Sequence, residues 1–219
     1  MASVIDSKKD FHNHDDEILF ARIAKDLHAK GYSANLNALP IELANQLYLH
    51  VSTMSDKSFK DAAIGRDRQH MHNVVVRSQK QSWISGDSVT NRSWLKWAGE
   101  LQNYLNKHLL LGLFSFESHY AHYGPGDFYK RHCDSFKGQS SRSLSIIVYL
   151  NRDWQSDDGG ELILYKDDED LIGLTVIPHF ATVVVFLSAE HPHEVLRAHR
   201  DRYSIAGWYS PNVRNIPRD

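Results

Sequence analysis

The sequence predicts a mainly β domain behind an N-terminal helical layer, its short strands closing into a sandwich or barrel such as an eight-stranded jelly roll. Three observations lead to that class. Helix-period apolar positions run through much of residues 1–112, and short apolar runs separated by turn residues fill 113–219. No repeat, low-complexity tract or linker divides the 219 residues, so 1–219 is expected to be one domain. Within it, a helical layer with a hairpin at about 74–90 precedes the β core at 113–219.

The first helix is expected where Asp15-Asp16-Glu17 open a turn and Leu19, Ile23 and Leu27 repeat at four-residue spacing before Gly31. A second starts at Pro40, a favoured first-turn residue, with Ile41, Leu43, Leu47 and Val51 on its buried side. A third follows Asn91 or Ser93, carries Trp94, Leu101, Leu105 and Leu109, and stops at Gly112. Trp94 and Trp97 are most simply packing residues between this helix and a sheet. The polar stretch Asp61–Thr90 lies between the second and third helices. In it, Val74-Val75-Val76-Arg77 and Gln81-Ser82-Trp83-Ile84 can pair around Ser78-Gln79-Lys80. Such long polar connections often serve as lids or binding loops, and a plain surface hairpin is equally open.

Strands are expected at Leu113–Tyr123, Ser143–Leu150, Glu161–Tyr165, Leu171–Ile177, Thr182–Leu187, His193–Leu196 and Tyr203–Tyr209. Turn chemistry separates them at Gly124-Pro125-Gly126, Asp157-Asp158-Gly159-Gly160, Asp167–Asp170 and Pro178.

Composition narrows the partners. With 42% hydrophobic and 24% charged residues the chain has the make-up of a soluble globular protein. A net charge of −2 gives no electrostatic reason to expect nucleic acid or an anionic membrane surface. No apolar run is long enough to cross a bilayer. The N-terminus lacks an apolar signal core and the single cysteine, Cys133, excludes an intrachain disulfide; both suit a non-secreted, cytoplasmic protein.

The chemistry centres on His132-Cys133-Asp134. In an extended segment side chains alternate, so His132 and Asp134 share a face and Cys133 points away, most simply as a buried, inert thiol. His193, far along the chain beside another expected strand, completes two nitrogens and one oxygen. That is the facial donor set of non-haem Fe(II) oxygenases, which leaves coordination positions open. A 2-oxo acid fills two of them, leaving one for O2. The distal carboxylate of 2-oxoglutarate then needs a matched cation, and Arg202 offers a two-pronged contact that lysine cannot reproduce. Tyr149 is the candidate second donor. Alone, a His-x-acid triplet is better explained by two polar residues on a surface strand; His193, Arg202 and the turn at Asp157–Gly160 shift the balance. His191 would share the face of His193 and is a rival ligand. His119 and His122 fall on opposite faces and are expected to be structural, while His70 and His72 sit in the polar stretch as solvated side chains.

The run Tyr123-Gly-Pro-Gly-Asp-Phe-Tyr-Lys-Arg-His132-Cys-Asp134 is followed by Arg142-Ser-Leu-Ser-Ile-Ile-Val-Tyr149-Leu-Asn151 and Asp158-Gly-Gly-Glu-Leu. His193-Glu-Val-Leu and Arg202-Tyr-Ser-Ile-Ala-Gly-Trp208 complete the series. In this order the motifs resemble the 2-oxoglutarate- and Fe(II)-dependent prolyl hydroxylases, nearest to the hypoxia-inducible-factor type and its bacterial relatives. The likeness covers about the last half of the chain and extends faintly to Arg77–Ile84, which resembles the family's mobile substrate-covering hairpin. Arginine at 202, where collagen-type enzymes use lysine, favours the hypoxia-factor type; the segment from Tyr123 to His132 is one residue shorter than in the animal enzymes.

The resemblance implies a double-stranded β-helix (jelly-roll, cupin-like) oxidoreductase whose iron ligands are His132, Asp134 and His193. It implies 2-oxoglutarate held by Arg202 and Tyr149 with Tyr123 beside them, and substrate contacts from Arg142, Tyr129, Trp208, Arg77 and Trp83. The implied reaction consumes O2, converts 2-oxoglutarate to succinate and CO2, and hydroxylates a prolyl residue in an exposed loop of a protein, with ascorbate as reductant. Elongation factor Tu is a candidate target, because bacterial relatives act on one of its prolines. The same chemistry on a small molecule, free amino acid or lipid is an alternative, and a non-catalytic jelly-roll sensor is another.

Overall fold

The computed structural model describes residues 7–61, 78–135 and 142–212. Helix α1 spans Ser7–Lys30 and ends where Gly31 turns into the left-handed region at φ 78, its N–H bonded to Leu27 O at 3.0 Å. A Cβ at Gly31 would also sit 2.7 Å from Nε2 of His191. Strand β1, Tyr32–Asn35, follows at once; it was not expected from sequence, being four residues with little apolar character. Helix α2 covers Ile41–Ser52 after Pro40 and buries Ala44, Leu47 and Val51, whereas Ile41, expected on that side, is exposed.

Strands β2, Lys60–Asp61, and β3, Lys80–Trp83, precede α3, Val89–Leu109. The α3 N-cap is Ser88, whose hydroxyl accepts from Asn91 N at 3.0 Å, so the helix begins ahead of both expected starts. It buries Trp94, Trp97, Ala98, Leu101 and Leu105, and Trp97 Nε1 donates to Asp16 Oδ1 of α1 at 2.8 Å.

The remaining strands are β4 Leu113–Tyr123, β5 Tyr129–His132, β6 Leu144–Tyr149, β7 Leu162–Leu164, β8 Leu174–Val176, β9 Val183–Leu187, β10 His193–Val195 and β11 Arg202–Pro211. They form two antiparallel sheets, ordered β1-β9-β6-β11-β4-β3-β2 and β5-β10-β7-β8. From β4 to β11 the chain passes back and forth between the sheets, which is the jelly-roll winding of a double-stranded β-helix.

The near-continuous apolar run of β9 explains the layering. Val183 and Val185 face the cluster built with the helices, while Val184 and Phe186 face the space between the sheets with Tyr149, Leu162, Leu164 and Val195. A strand covered on both faces has no solvent side, so its sequence shows no alternation. The helices therefore close the outer face of the seven-stranded sheet, and the inner face is left to build a cavity wall. Gln81–Trp83 pair with β4, and Lys60–Asp61 with Lys80–Gln81. The segment 74–77 expected to pair with β3, like His70 and His72, lies outside the described residues.

Leu47 is fully buried under the helical layer, so Leu47→Ala should lower the unfolding free energy by about 2–5 kcal/mol. Leu49→Ala, two residues away on the exposed face, should change it by less than about 0.5 kcal/mol in the same denaturant titration.

Candidate active site

His132 ends β5 and His193 opens β10, and the two are directly paired across the antiparallel ladder. Their rings meet with centroids 4.2 Å apart. Asp134 lies in a bend just past β5, so the alternation argument places its carboxylate correctly only in direction, not through a strand. Its Oδ1 is 3.7 Å from Nε2 of His132 and its Oδ2 is 3.7 Å from Nε2 of His193. One donor atom from each of the three residues lies within 4.8 Å of the others, the only such triplet of potential ligands among the described residues.

Both imidazoles are oriented from behind. His132 Nδ1 donates to Lys130 O at 2.8 Å and His193 Nδ1 to His191 O at 3.2 Å, which leaves each Nε2 lone pair on the carboxylate side. Tyr129 stacks on His132 at 3.6 Å and Phe186 packs edge-on against His193 at 4.8 Å. Burial alone would push the Asp134 carboxyl upward. The neighbouring His193 and His132, with the Ser145 hydroxyl donating and the Trp208 indole close by, outweigh burial and hold it at about 2. Two imidazole nitrogens and a carboxylate gathered on one side suit a divalent transition ion with positions left open.

Deeper between the sheets, Arg202 is 1% exposed. Its Nε donates to Gly160 O at 2.8 Å and its Nη1 reaches Ser204 Oγ at 3.4 Å, with the Tyr123 and Tyr149 rings 4.8 and 5.0 Å from the guanidinium carbon. Among the described residues no carboxylate pairs with this buried charge. Leaving a guanidinium there uncompensated is costly, so an anionic guest fits. The buried Tyr149 hydroxyl lies against Arg202 without a well-formed hydrogen bond of its own, a donor held ready for the same guest. Burial raises its phenol and Arg202 pulls it partly back, leaving it at about 12. The double glycine explains the approach: a Cβ on Gly160, at φ 67, would sit 2.8 Å from Arg202 Cδ.

Of the remaining expected residues, Trp208 and Arg142 come together, the guanidinium 3.7 Å over the indole, and Arg142 Nη2 bonds Glu117 Oε1 at 2.9 Å. Trp83 stands half-exposed beside them, 6.4 Å from Trp208 between centroids. Arg77 lies outside the described residues. The rival His191 turns the other way: its Nδ1 donates to Tyr165 O at 2.9 Å, and only its backbone carbonyl serves the site. His119 is buried against Trp83 and Trp208, while His122 pairs with Asp201 at 2.7 Å. Cys133 is half-buried rather than buried, because the bend after β5 takes it off the ladder. Sequence reasoning missed Ser145, which donates to Asp134 Oδ2 at 2.7 Å; a lone hydroxyl inside the apolar run of β6 was the available signal.

Residues 118–210 match the family described as the 2OG-Fe(II) oxygenase superfamily. Egl nine homolog 1 of Rattus norvegicus is 33% identical over 87 residues, which cover 39% of this chain and 25% of that protein. The chain thus spans only 20–25% of the rat, mouse and human Egl nine homologues it matches. A solved prolyl-4-hydroxylase from Pseudomonas putida superposes with TM-score 0.78 at 33% identity, over 89% of this chain and 100% of that one. A prolyl hydroxylase from Trichoplax adhaerens, solved with a hypoxia-inducible-factor peptide, shares the fold with TM-score 0.77 at 24% identity, over 91% and 92% of the two chains.

Calorimetry with Mn(II)-loaded protein reads the anion pocket directly. Arg202→Lys should weaken 2-oxoglutarate on the order of 100-fold with metal affinity retained, and Tyr149→Phe by about 10-fold. Because the Tyr149 phenol is held at about 12, its donor should persist and the wild-type affinity should show no loss from its ionisation up to about pH 11.

Proposed function

The chain belongs to the 2OG-Fe(II) oxygenase superfamily, and from that premise we propose that it hydroxylates a prolyl residue in an exposed loop of a protein substrate. Two features of the interior support this reading. One is a His-Asp-His donor set, and the other is a buried arginine for which no carboxylate partner is present among the described residues.

In this reading His132, Asp134 and His193 hold Fe(II). Arg202 receives the distal carboxylate of 2-oxoglutarate and Tyr149 donates to it, so that the 2-oxo end is turned toward the three ligands. Bound there, Fe(II) with 2-oxoglutarate and O2 supplies the oxidising chemistry that releases succinate and CO2 and converts a C–H bond to C–OH. The protein contributes orientation and a dry cavity: Phe186, Tyr149, Leu162, Leu164 and Val195 line the space between the sheets and keep water from the cosubstrate. Ascorbate serves as the external reductant.

Arg142, Trp208, Trp83 and Tyr129 form the substrate-facing rim, with Arg77 as a further contact. A half-exposed tryptophan beside a guanidinium-stacked indole supports an extended peptide better than a small molecule. Elongation factor Tu is the proposed target and a cytoplasmic location part of the same reading. Residues 1–219 are taken to act as one domain. Among the described residues no helix is long and apolar enough to cross a membrane.

Incubating iron-loaded protein with 2-oxoglutarate, ascorbate and elongation factor Tu should add one oxygen to a proline, seen by tandem mass spectrometry, with succinate formed in equal amount. His132→Ala should abolish both; undiminished succinate production by that variant would overturn the iron assignment. Oxygen added only to free amino acids would overturn the protein-substrate assignment while leaving the iron chemistry standing.

A further inference from the structure

Asp134 is the one member of the donor triplet that no strand holds. His132 and His193 are fixed by the β5–β10 ladder and by backbone acceptors behind their rings, whereas Asp134 sits in the bend that follows β5. A short side chain on a bend has freedom to turn its carboxylate away from the imidazoles. Something outside the bend must orient it.

One serine reaches it directly, and a second stands behind the first. Ser145 Oγ of β6 donates to Asp134 Oδ2 at 2.7 Å, and Ser145 Oγ is 2.9 Å from Ser188 Oγ, just past β9. Ser145 and Ser188 are 1% and 0% exposed, so no bulk water competes for either hydroxyl. The direction of the chain follows from the acceptor at its end. Ser145 spends its single proton on the Asp134 carboxylate oxygen. Ser145 then has only lone pairs for its neighbour, so Ser188 must donate to Ser145. Each donation polarises the next, which strengthens the bond on the carboxylate. Ser188 is itself held in place, its backbone N–H donating to Ser143 O at 3.1 Å.

We infer that Ser188 and Ser145 form a one-way hydroxyl relay that positions the Asp134 carboxylate for metal binding, making Ser145 a positioning residue for the iron site. The inference rests on the iron assignment made above. It accounts for two buried hydroxyls, one inside apolar β6 and one just past apolar β9, where an unpaired hydroxyl would be costly. It also ties the metal site to the seven-stranded sheet: two ligands come from the four-stranded sheet, and the third is locked from the sheet opposite.

The test uses Co(II) in place of iron, read by titration and by its visible absorption, on the full chain. Ser145→Ala should weaken Co(II) by about 10–100-fold and shift the absorption bands, since removing such an outer partner frees the ligand. Ser188→Ala should weaken it less, by about 3-fold to 10-fold, because Ser145 still donates. Ser145→Thr, which keeps the hydroxyl, should return affinity and spectrum to near the wild type, and denaturant midpoints of the metal-free variants should stay close together. Unchanged Co(II) affinity and spectrum in Ser145→Ala would overturn the relay. So would a Ser145→Thr variant as weak as Ser145→Ala, since the role would then lie in packing rather than in the hydroxyl. Wild-type protein that takes up no Co(II) would overturn the metal site itself, and the relay with it.

Discussion

The antiparallel contact of β5 with β10 is the constraint on which the rest of the site depends. It sets His132 opposite His193, residues that are far apart in the chain, at the distance of one ladder rung. Side chains on directly paired residues point to the same face of a sheet, so both imidazoles enter the space between the sheets together. A slip of one residue in either strand would turn one ring outward and leave a single nitrogen donor. The register shift between His193 and Val195 puts one extra residue in β5 between Tyr129 and His132, and it leaves the rung that carries the histidines paired.

The opposite sheet supplies what the histidine pair cannot. Tyr149 and Ser145 on β6, Arg202 and Trp208 on β11 and Phe186 on β9 face the same interior from the seven-stranded sheet. Along the sheet, Ser145 pairs with Trp208 at the row that meets Asp134, while Tyr149 pairs with Ser204 and Arg202 with Tyr123 further along. The His-Asp-His cluster and the buried Arg202, which has no carboxylate partner among the described residues, give this interior two chemically unlike sites. The helices make this affordable in structural terms by covering the outer face of the same sheet, so that β6, β9 and β11 are rigid on both sides.

Much of this was legible in the residues. Turn chemistry at Gly124-Pro125-Gly126 and Asp158-Gly159-Gly160 bounded strands whose observed limits fall within a few residues of those expected, and β4 begins and ends where expected. Local signals failed where local chemistry was silent. Strand β1 has only four residues and exists because β9 offers it an edge. Cys133 and Asp134 were placed by strand alternation, yet β5 stops at His132, and a bend does not obey that alternation. Ile41 carries the right residue type on the wrong side of α2, because the buried stripe is centred on Ala44, Leu47 and Val51 instead.

The sequence by itself determined the chemical alphabet of the site: a histidine-acid triplet, a second histidine and an arginine offset from it, in an order and with spacings that few other chemistries require. It determined the strand-rich second half too, since period and turn residues are local properties. Only the tertiary structure decided which histidine faces inward, because His191 and His193 share a sequence neighbourhood and differ in the contacts that each ring finds across space. It alone set the Ser145 hydroxyl on Asp134 with Ser188 beside it, and buried Arg202 with no carboxylate partner among the described residues. Those are facts of burial and of pairing between strands remote in the chain, and no local pattern encodes them.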